Sequence, residues 1–291
     1  MKKQAIFTKT FIALCMAFCL SLPRVQAGQQ IRCLTAGEKT GKDTIHVLLI
    51  GQDNRQGVQG KRSDSMILCS YSPGQKALIL TSIMRDLYVK IPGYGCNRIN
   101  AAYAFGGGEL LKQTVEENFK LPIAGTIEVD FDQFPRVIDL LGGVTLDLRP
   151  DEAGEINRLV PWQKAEPGQQ TLTGDQALVY SRIRKLDADS DFSRTRRQRA
   201  LLTSILEQYR EITLPQALEL LTQMLPMVDT SLTPWQVMTY SSQVLPSFRE
   251  MKITSQRIPA PGDGTEKNVD GMSVIVPDLQ KVRDMLKKTL L

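Results

Sequence analysis

The chain has 291 residues, 42% of them hydrophobic, and a formal charge of +5. That length supports one large domain or two small ones, and the apolar share supplies a packed core and excludes long disorder. Lys2, Lys3, Lys9 and Arg24 carry four of the positive charges ahead of any acid, so the remainder is near neutral and does not read as a nucleic-acid binder. In chain order, residues 1–27 place lysines before an apolar run from Phe11 to Leu22 and a small-residue Val25-Gln26-Ala27 close, the pattern of an export signal. The run is short of the ~20 apolar residues of a spanning helix. A cleaved signal is the first reading and a short membrane anchor the alternative; both put the remainder outside the cytoplasm. Residues 28–43 read as a polar linker, and 44–291 as a single domain.

Within that domain TIHVLLIG reads as a buried strand, and DSMILCSYSPGQKALILTSI as two strands around Ser72-Pro73-Gly74. DLYVKIPG is a third strand-like piece. RINAAYAFGGGELLKQTVEENF reads as a short helix, a glycine break and a longer helix. TIEVDF is a strand, DQFPRVIDLLGG a helix ended by glycine, and VTLDL a strand. Residues 149–171, with Pro150, Pro161, Pro167 and several glycines, read as a loop. Three helices follow in GDQALVYSR, SRTRRQRALLTSILEQY and LPQALELLTQML, then TPWQVMTYSSQVL, the late strand EMKITSQRI and a final helix PDLQKVRDMLKKTLL. Alternation of strands and helices predicts an α/β fold with helices on both faces of the sheet.

Cysteines and histidines exclude several chemistries. With Cys15 and Cys19 in the signal, Cys33, Cys69 and Cys96 remain, which allows one bridge at most. Cys69 sits in a strand-like run, which leaves Cys33–Cys96 as the expected pair. His46 is the sole histidine and reads as a strand residue near the core, so a histidine-based triad or zinc site is disfavoured.

Two stretches concentrate charge. GQDNRQGVQGKRSDSM joins two strands and carries Asp53 and Asp64 around a glycine-bearing loop with Arg55, Lys61 and Arg62. Two carboxylates brought together repel unless a cation lies between them, and magnesium suits such a pair with phosphate oxygens; the plainer reading is a hairpin with solvated charges. YSRIRKLDADSDFSRTRRQRALL carries six arginines. A helix starting near Ser193, capped by Asp191 or Ser193, puts Arg194, Arg197 and Gln198 on one face with Leu201 and Ile205, and leaves Arg196 and Arg199 solvated opposite. Arg182, Arg184, Arg194 and Arg197 then converge. Converging arginines need an anion, and a di- or polyphosphate matches guanidinium geometry. Arg85, in SIMRDLYV, is a basic residue at a strand end.

Together the segments GQDNR…KRSDSM, LTSIMRDLYVKIPG, RINAAYAFGGGELLKQTVE, VDFDQFPRVIDLLGGVTLDL, GQQTLTGDQALVYSRIR and DFSRTRRQRALLTSIL resemble, in order, the LytR-CpsA-Psr family of bacterial cell-envelope proteins. The resemblance covers about residues 44–208. It implies a three-layer α/β/α sandwich with a central mixed sheet. It also implies a magnesium-dependent phosphotransferase that moves a glycopolymer from a polyprenyl-pyrophosphate carrier onto peptidoglycan at the membrane surface. By motif position it implies metal binding by Asp53 and Asp64. It implies a pyrophosphate clamp of Arg62, Arg85, Arg98, Arg182, Arg184, Arg194 and Gln198, with Asp191 and Arg194 catalytic. A phosphohydrolase acting on the same carrier and a non-catalytic envelope binder of lipid-linked glycan are the alternatives.

Overall fold

The computed structural model describes residues 44–53 and 62–290, with backbone alone at 53, 62, 190 and 290. The signal, the linker, Cys33, Arg55 and Lys61 lie outside the described residues. Cys96, the other half of the expected bridge, is exposed.

Strands β1 (Ile45–Asp53), β2 (Arg62–Ser72) and β3 (Ala77–Ile83) form an antiparallel core. β6 (Gly125–Asp130) runs parallel to β1, β9 (Asp229–Thr230) pairs antiparallel to β6, and β10 (Lys252–Ile258) runs parallel to β3. The mixed six-stranded sheet has the order β10-β3-β2-β1-β6-β9. Side chains alternate faces along a strand, and this sheet uses both. Leu48, Ile50, Met66, Leu68, Ile79 and Ile83 turn to one face, under helix α1 (Ile99–Phe119) and the C-terminal helix α8 (Leu279–Leu290), where Leu111, Val115, Phe119, Val282 and Leu286 complete the core. α1 breaks at Gly106 and Gly107, the latter at φ +63°, where a glycine is favoured. The neighbouring strand residues Leu49, Ile67, Ile127 and Val129 turn to the other face and line a cavity there.

Helices α2 (Gln133–Leu140), α3 (Pro150–Leu159), α4 (Gly174–Arg182) and α5 (Ser190–Gln208) belong to that second face. They share a core of Ile138, Ile156, Ala177, Tyr180 and Leu201 with the small hairpin β7 (Val144–Leu148) and β8 (Gly168–Leu172). The loop expected over 149–171 is therefore a helix and a strand. Pro150 opens α3 instead of breaking it, because the first helical turn needs no donor there, and the Glu152 side chain accepts the Arg149 N–H at 3.1 Å. β4 (Tyr88–Ile91) pairs with β5 (Gly95–Arg98), and β11 (Gly264–Val269) with β12 (Met272–Pro277), a hairpin the sequence pattern did not reveal. Helices α6 (Leu214–Met224) and α7 (Pro234–Phe248) complete the chain order.

His46 is buried, with Nδ1 2.8 Å from Ser70 Oγ, and burial pulls its pKa down to about 4. Cys69 packs with Tyr71, Leu78, Phe248 and Met251. Neither approaches a catalytic arrangement.

Candidate active site

The cavity between the sheet and α2, α4 and α5 measures about 610 Å³, within the range of ligand sites. Its body is apolar: Phe134, Val137, Ile138 and Leu141 from α2, Leu178 from α4, Leu201, Leu202 and Ile205 from α5, and Met224 and Val228 beyond. Its mouth is charged, with Asp64, Arg85, Arg182, Arg184, Arg194 and Gln198.

Four pieces of chain position the mouth. β1 and β2 stay in simple register to Gly51↔Ser65, then jump to Gln52↔Ser63. Asp64 is thus the extra residue of a β-bulge, a device that re-aims a side chain. Arg85 follows β3. Arg182 ends α4 and Arg184 lies two residues beyond it. Arg194 and Gln198 stand one turn apart on α5. That helix begins at Ser190, three residues before the expected start, with Asp189 at the N-cap position; the short loop after Arg184 leaves room for an extra turn.

Two carboxylates organise three guanidinium groups. Arg85 Nη1 is 3.0 Å from Asp64 Oδ1, and its Nε donates to Asp191 Oδ2 at 3.1 Å. Arg184 lies 3.4 Å from Asp191 and 3.8 Å from Asp64. Arg194 lies 3.6 Å from Asp191 and 4.0 Å from Asp64. Burial pulls the Arg85 pKa down, but the carboxylates of Asp191, Asp86 and Asp64 outweigh it and hold it above its ordinary value. Arg194 is 2% exposed, and its Nε has no hydrogen-bond partner among the described residues. Arg182 stacks over the Phe131 ring at 4.5 Å. Gln198 accepts from Ser65 Oγ at 3.1 Å. The cations of Arg85, Arg182, Arg184 and Arg194 outnumber the carboxylates of Asp64, Asp86 and Asp191, which leaves the mouth positive and pre-organised for a multiply charged anion.

Other expected members lie elsewhere. Arg98 does not line the cavity: its Nε donates to the Ser273 carbonyl at 3.0 Å and reaches Asp86 at 3.4 Å, so it supports Arg85 through Asp86. Arg197 does not join the clamp either. Its Nε donates to Glu152 at 2.7 Å, and it also pairs with Asp187 and donates to the Ile183 carbonyl. Nearly full burial made that pairing obligatory. Asp187 in turn bonds Arg149, which with Arg197 holds its carboxyl down at about 2. Arg199, expected in solvent, is buried; burial and the like charges of Arg257 and Arg196 pull its pKa down to about 10. Only Arg196 is exposed as expected. The side chains of Asp53 and Arg62 lie outside the described residues, though their backbones pair across β1 and β2 beside Asp64. Among the described residues no cluster of three or more acidic, histidine or cysteine side chains is placed to hold a metal.

Fold and site together give an α/β protein whose apolar cavity opens on a cluster of arginines, a shape and charge that would suit an amphiphile with an anionic head and an apolar tail. A model of the LytR_cpsA_psr family matches residues 24–290, and the chain belongs to that family. It is 33% identical, over 87% of its length and 80% of the relative's, to the polyisoprenyl-teichoic acid–peptidoglycan teichoic acid transferase TagU of Bacillus cereus (strain AH820). The Oceanobacillus iheyensis protein of the same name is 41% identical over 174 residues, which are 57% of this chain and only 52% of that relative. The solved structure of YwtF (TagT), a LytR-CPS2A-psr family protein of Bacillus subtilis with bound octaprenyl pyrophosphate lipid, superposes with a TM-score of 0.66. It is 25% identical and covers 88% of this chain and 94% of that one.

Proposed function

We propose that the protein is an extracytoplasmic phosphotransferase that moves a glycopolymer of the teichoic-acid class from a polyprenyl-pyrophosphate carrier onto peptidoglycan. One observation carries this reading: an apolar cavity opens directly onto converging Arg85, Arg182, Arg184 and Arg194. The relatives' names supply the polymer class and the acceptor, and the octaprenyl pyrophosphate bound to TagT joins an apolar tail to a pyrophosphate head, the two chemistries that the cavity and its mouth offer.

In the reaction an acceptor sugar hydroxyl attacks the phosphorus bearing the glycan. A new P–O bond forms, the P–O–P bridge breaks and polyprenyl phosphate leaves. Such a transfer needs neutralised charge and alignment more than covalent help. Arg85, Arg184 and Arg194 stabilise the pyrophosphate oxygens, and Arg194, being buried, strengthens its bonds in a low-dielectric setting. Asp191 contacts all three guanidinium groups and orients them, and in this reading its carboxylate takes up the hydroxyl proton. The apolar walls hold the tail so that the head stays in register.

Magnesium is the ion that we propose Asp64 and Asp53 would hold. Asp64, turned by the bulge, and Asp53, on the adjoining strand end, are hard oxygen ligands of the kind that bind it together with phosphate oxygens. Bound there, it would offset charge on the pyrophosphate.

The test incubates the full chain with a polyprenyl-pyrophosphate-linked oligosaccharide, magnesium and a peptidoglycan oligomer, and follows products by mass spectrometry. An acceptor carrying the sugar phosphate is expected. Cleaved carrier with unmodified acceptor points to a phosphohydrolase, and tight binding with neither product points to a non-catalytic binder. The double change Asp53→Ala, Asp64→Ala is expected to abolish metal-dependent turnover.

A further inference from the structure

We propose that α6 and α7 form a bilayer-docking surface through which the lipid carrier reaches the cavity; this rests on the transferase reading for its purpose but not for its observation. The segment from Ile212 to Phe248 carries only two charged residues, Glu219 and Asp229, and no lysine or arginine. It is nonetheless on the outside. α6 has eleven residues, four of them leucine, and none is buried. Leu214 and Leu225 are each 45% exposed, Met238 48% and Trp235 79%. Leu214, Leu218, Leu221 and Leu225 repeat at helical spacing along one stripe of α6 and its end, and Trp235 and Met238 share a face of α7. An exposed apolar stripe with a tryptophan and few charges is the composition of a surface that lies in a membrane interface.

Two further observations select the bilayer over another protein. Met224 ends α6 and Val228 lies just beyond, and both line the apolar cavity. The exposed stripe is therefore continuous with the wall of the lipid-tail site. In addition, β1 begins at Ile45, which packs in one cluster with Val244 and Phe248 of α7. The chain N-terminal to β1, with its apolar run at 11–22, thus joins the domain beside the C-terminal end of α7. Because residues 212–248 supply no lysine or arginine, attachment through them is apolar and insensitive to salt, unlike that of a polybasic patch.

The two tryptophans give a site-specific test in the full chain. Trp162→Phe leaves Trp235 as the single reporter; Trp235→Phe leaves Trp162, which is exposed in the loop after α3. With phosphatidylcholine vesicles, Trp235 emission is expected to shift to the blue and to be quenched by brominated acyl chains, equally at low and high salt, while Trp162 does not respond. An unchanged Trp235 spectrum, a binding lost in salt, or a Trp235 already shielded from an aqueous quencher before vesicles are added would each overturn the proposal, the last because a second copy or another part of the chain covers the surface. The pair Trp235→Ser, Met238→Ser is expected to lose turnover on vesicle-embedded carrier and to retain it on a short, water-soluble carrier; equal loss on both overturns the entry role. Quenching of Trp235 in a chain that transfers nothing to any acceptor keeps the docking surface and removes the transferase reading.

Discussion

Replacing Arg197 with methionine removes the cation from the buried network behind the clamp. Arg197 and Glu152 are 3% and 6% exposed at their side chains and 2.7 Å apart. Removal deletes the donors to Glu152, Asp187 and the Ile183 carbonyl, and strands the Glu152 carboxylate in the interior. Breaking one side of a buried pair costs about 3–5 kcal/mol. Glu152 keeps the Arg149 N–H and Asp187 keeps the Arg149 guanidinium, so the lower figure, about 3 kcal/mol, is expected. At about 2–4 °C per kcal/mol for a domain of this size, Tm falls on the order of 10 °C. Urea unfolding with an unchanged slope measures it. The double change Glu152→Leu, Arg197→Met is expected to recover most of the stability, since an apolar pair of similar volume replaces a buried ion pair without loss. Ile183 and Asp187 bracket Arg184, so the recovered variant is still expected to bind pyrophosphate carrier more weakly. A single-variant cost below about 1 kcal/mol, the value of a surface pair, would refute the reasoning.

Other outcomes are expected from the same geometry. Asp191→Asn removes a counter-charge shared by Arg85, Arg184 and Arg194, so kcat should fall about 10²-fold while affinity for polyprenyl pyrophosphate does not decrease; steady-state kinetics and calorimetry separate the two. Leu202→Trp narrows the cavity and should raise KM for long-chain carriers while leaving short-chain ones unaffected, read by a series of prenyl lengths. His46 is held neutral in the fold at a pKa of about 4 against 6.5, so the unfolded chain takes up the proton first as pH drops. Stability contributed above pH 6.5 is then lost between 6.5 and 4, by up to about 3 kcal/mol. His46→Gln should flatten that window in denaturation curves run at each pH.

Much of this molecule could be read from its residues because local pattern and tertiary demand agree. The strands at 45–53, 62–72 and 77–83 announce themselves by β-branched apolar runs, and α5 by Leu201 and Ile205 at helical spacing. The approach of Arg182, Arg184 and Arg194 followed from spacing on short elements. What failed depended on contacts far apart in sequence. Arg197 lies on the same helix stripe as Arg194, yet Glu152, 45 residues upstream, decides that it is structural. Asp64 owes its direction to a one-residue bulge opposite Gly51 and Gln52, which no periodicity records. Proline density disguised α3, because a proline at a helix start and one in a loop look alike in sequence.

The edge strand β10 has a consequence for how the chain matures. It lies parallel to β3, yet 168 residues separate Ile83 from the strand's first residue, Lys252. Until residues 252–258 are made, β3 presents an open row of donors and acceptors, and the helices that cover it have no finished sheet to rest on. Closing so distant a pairing is slow. Nascent pieces of this domain therefore cannot reach the native state before residues 252–258 are made. On the extracytoplasmic reading proposed above, that delay would serve a polypeptide threaded unfolded through a translocation pore, because premature folding on the ribosome's side would block its passage. Shortening the connection by circular permutation, so that β10 is made before β3, should make the domain fold earlier and export less well.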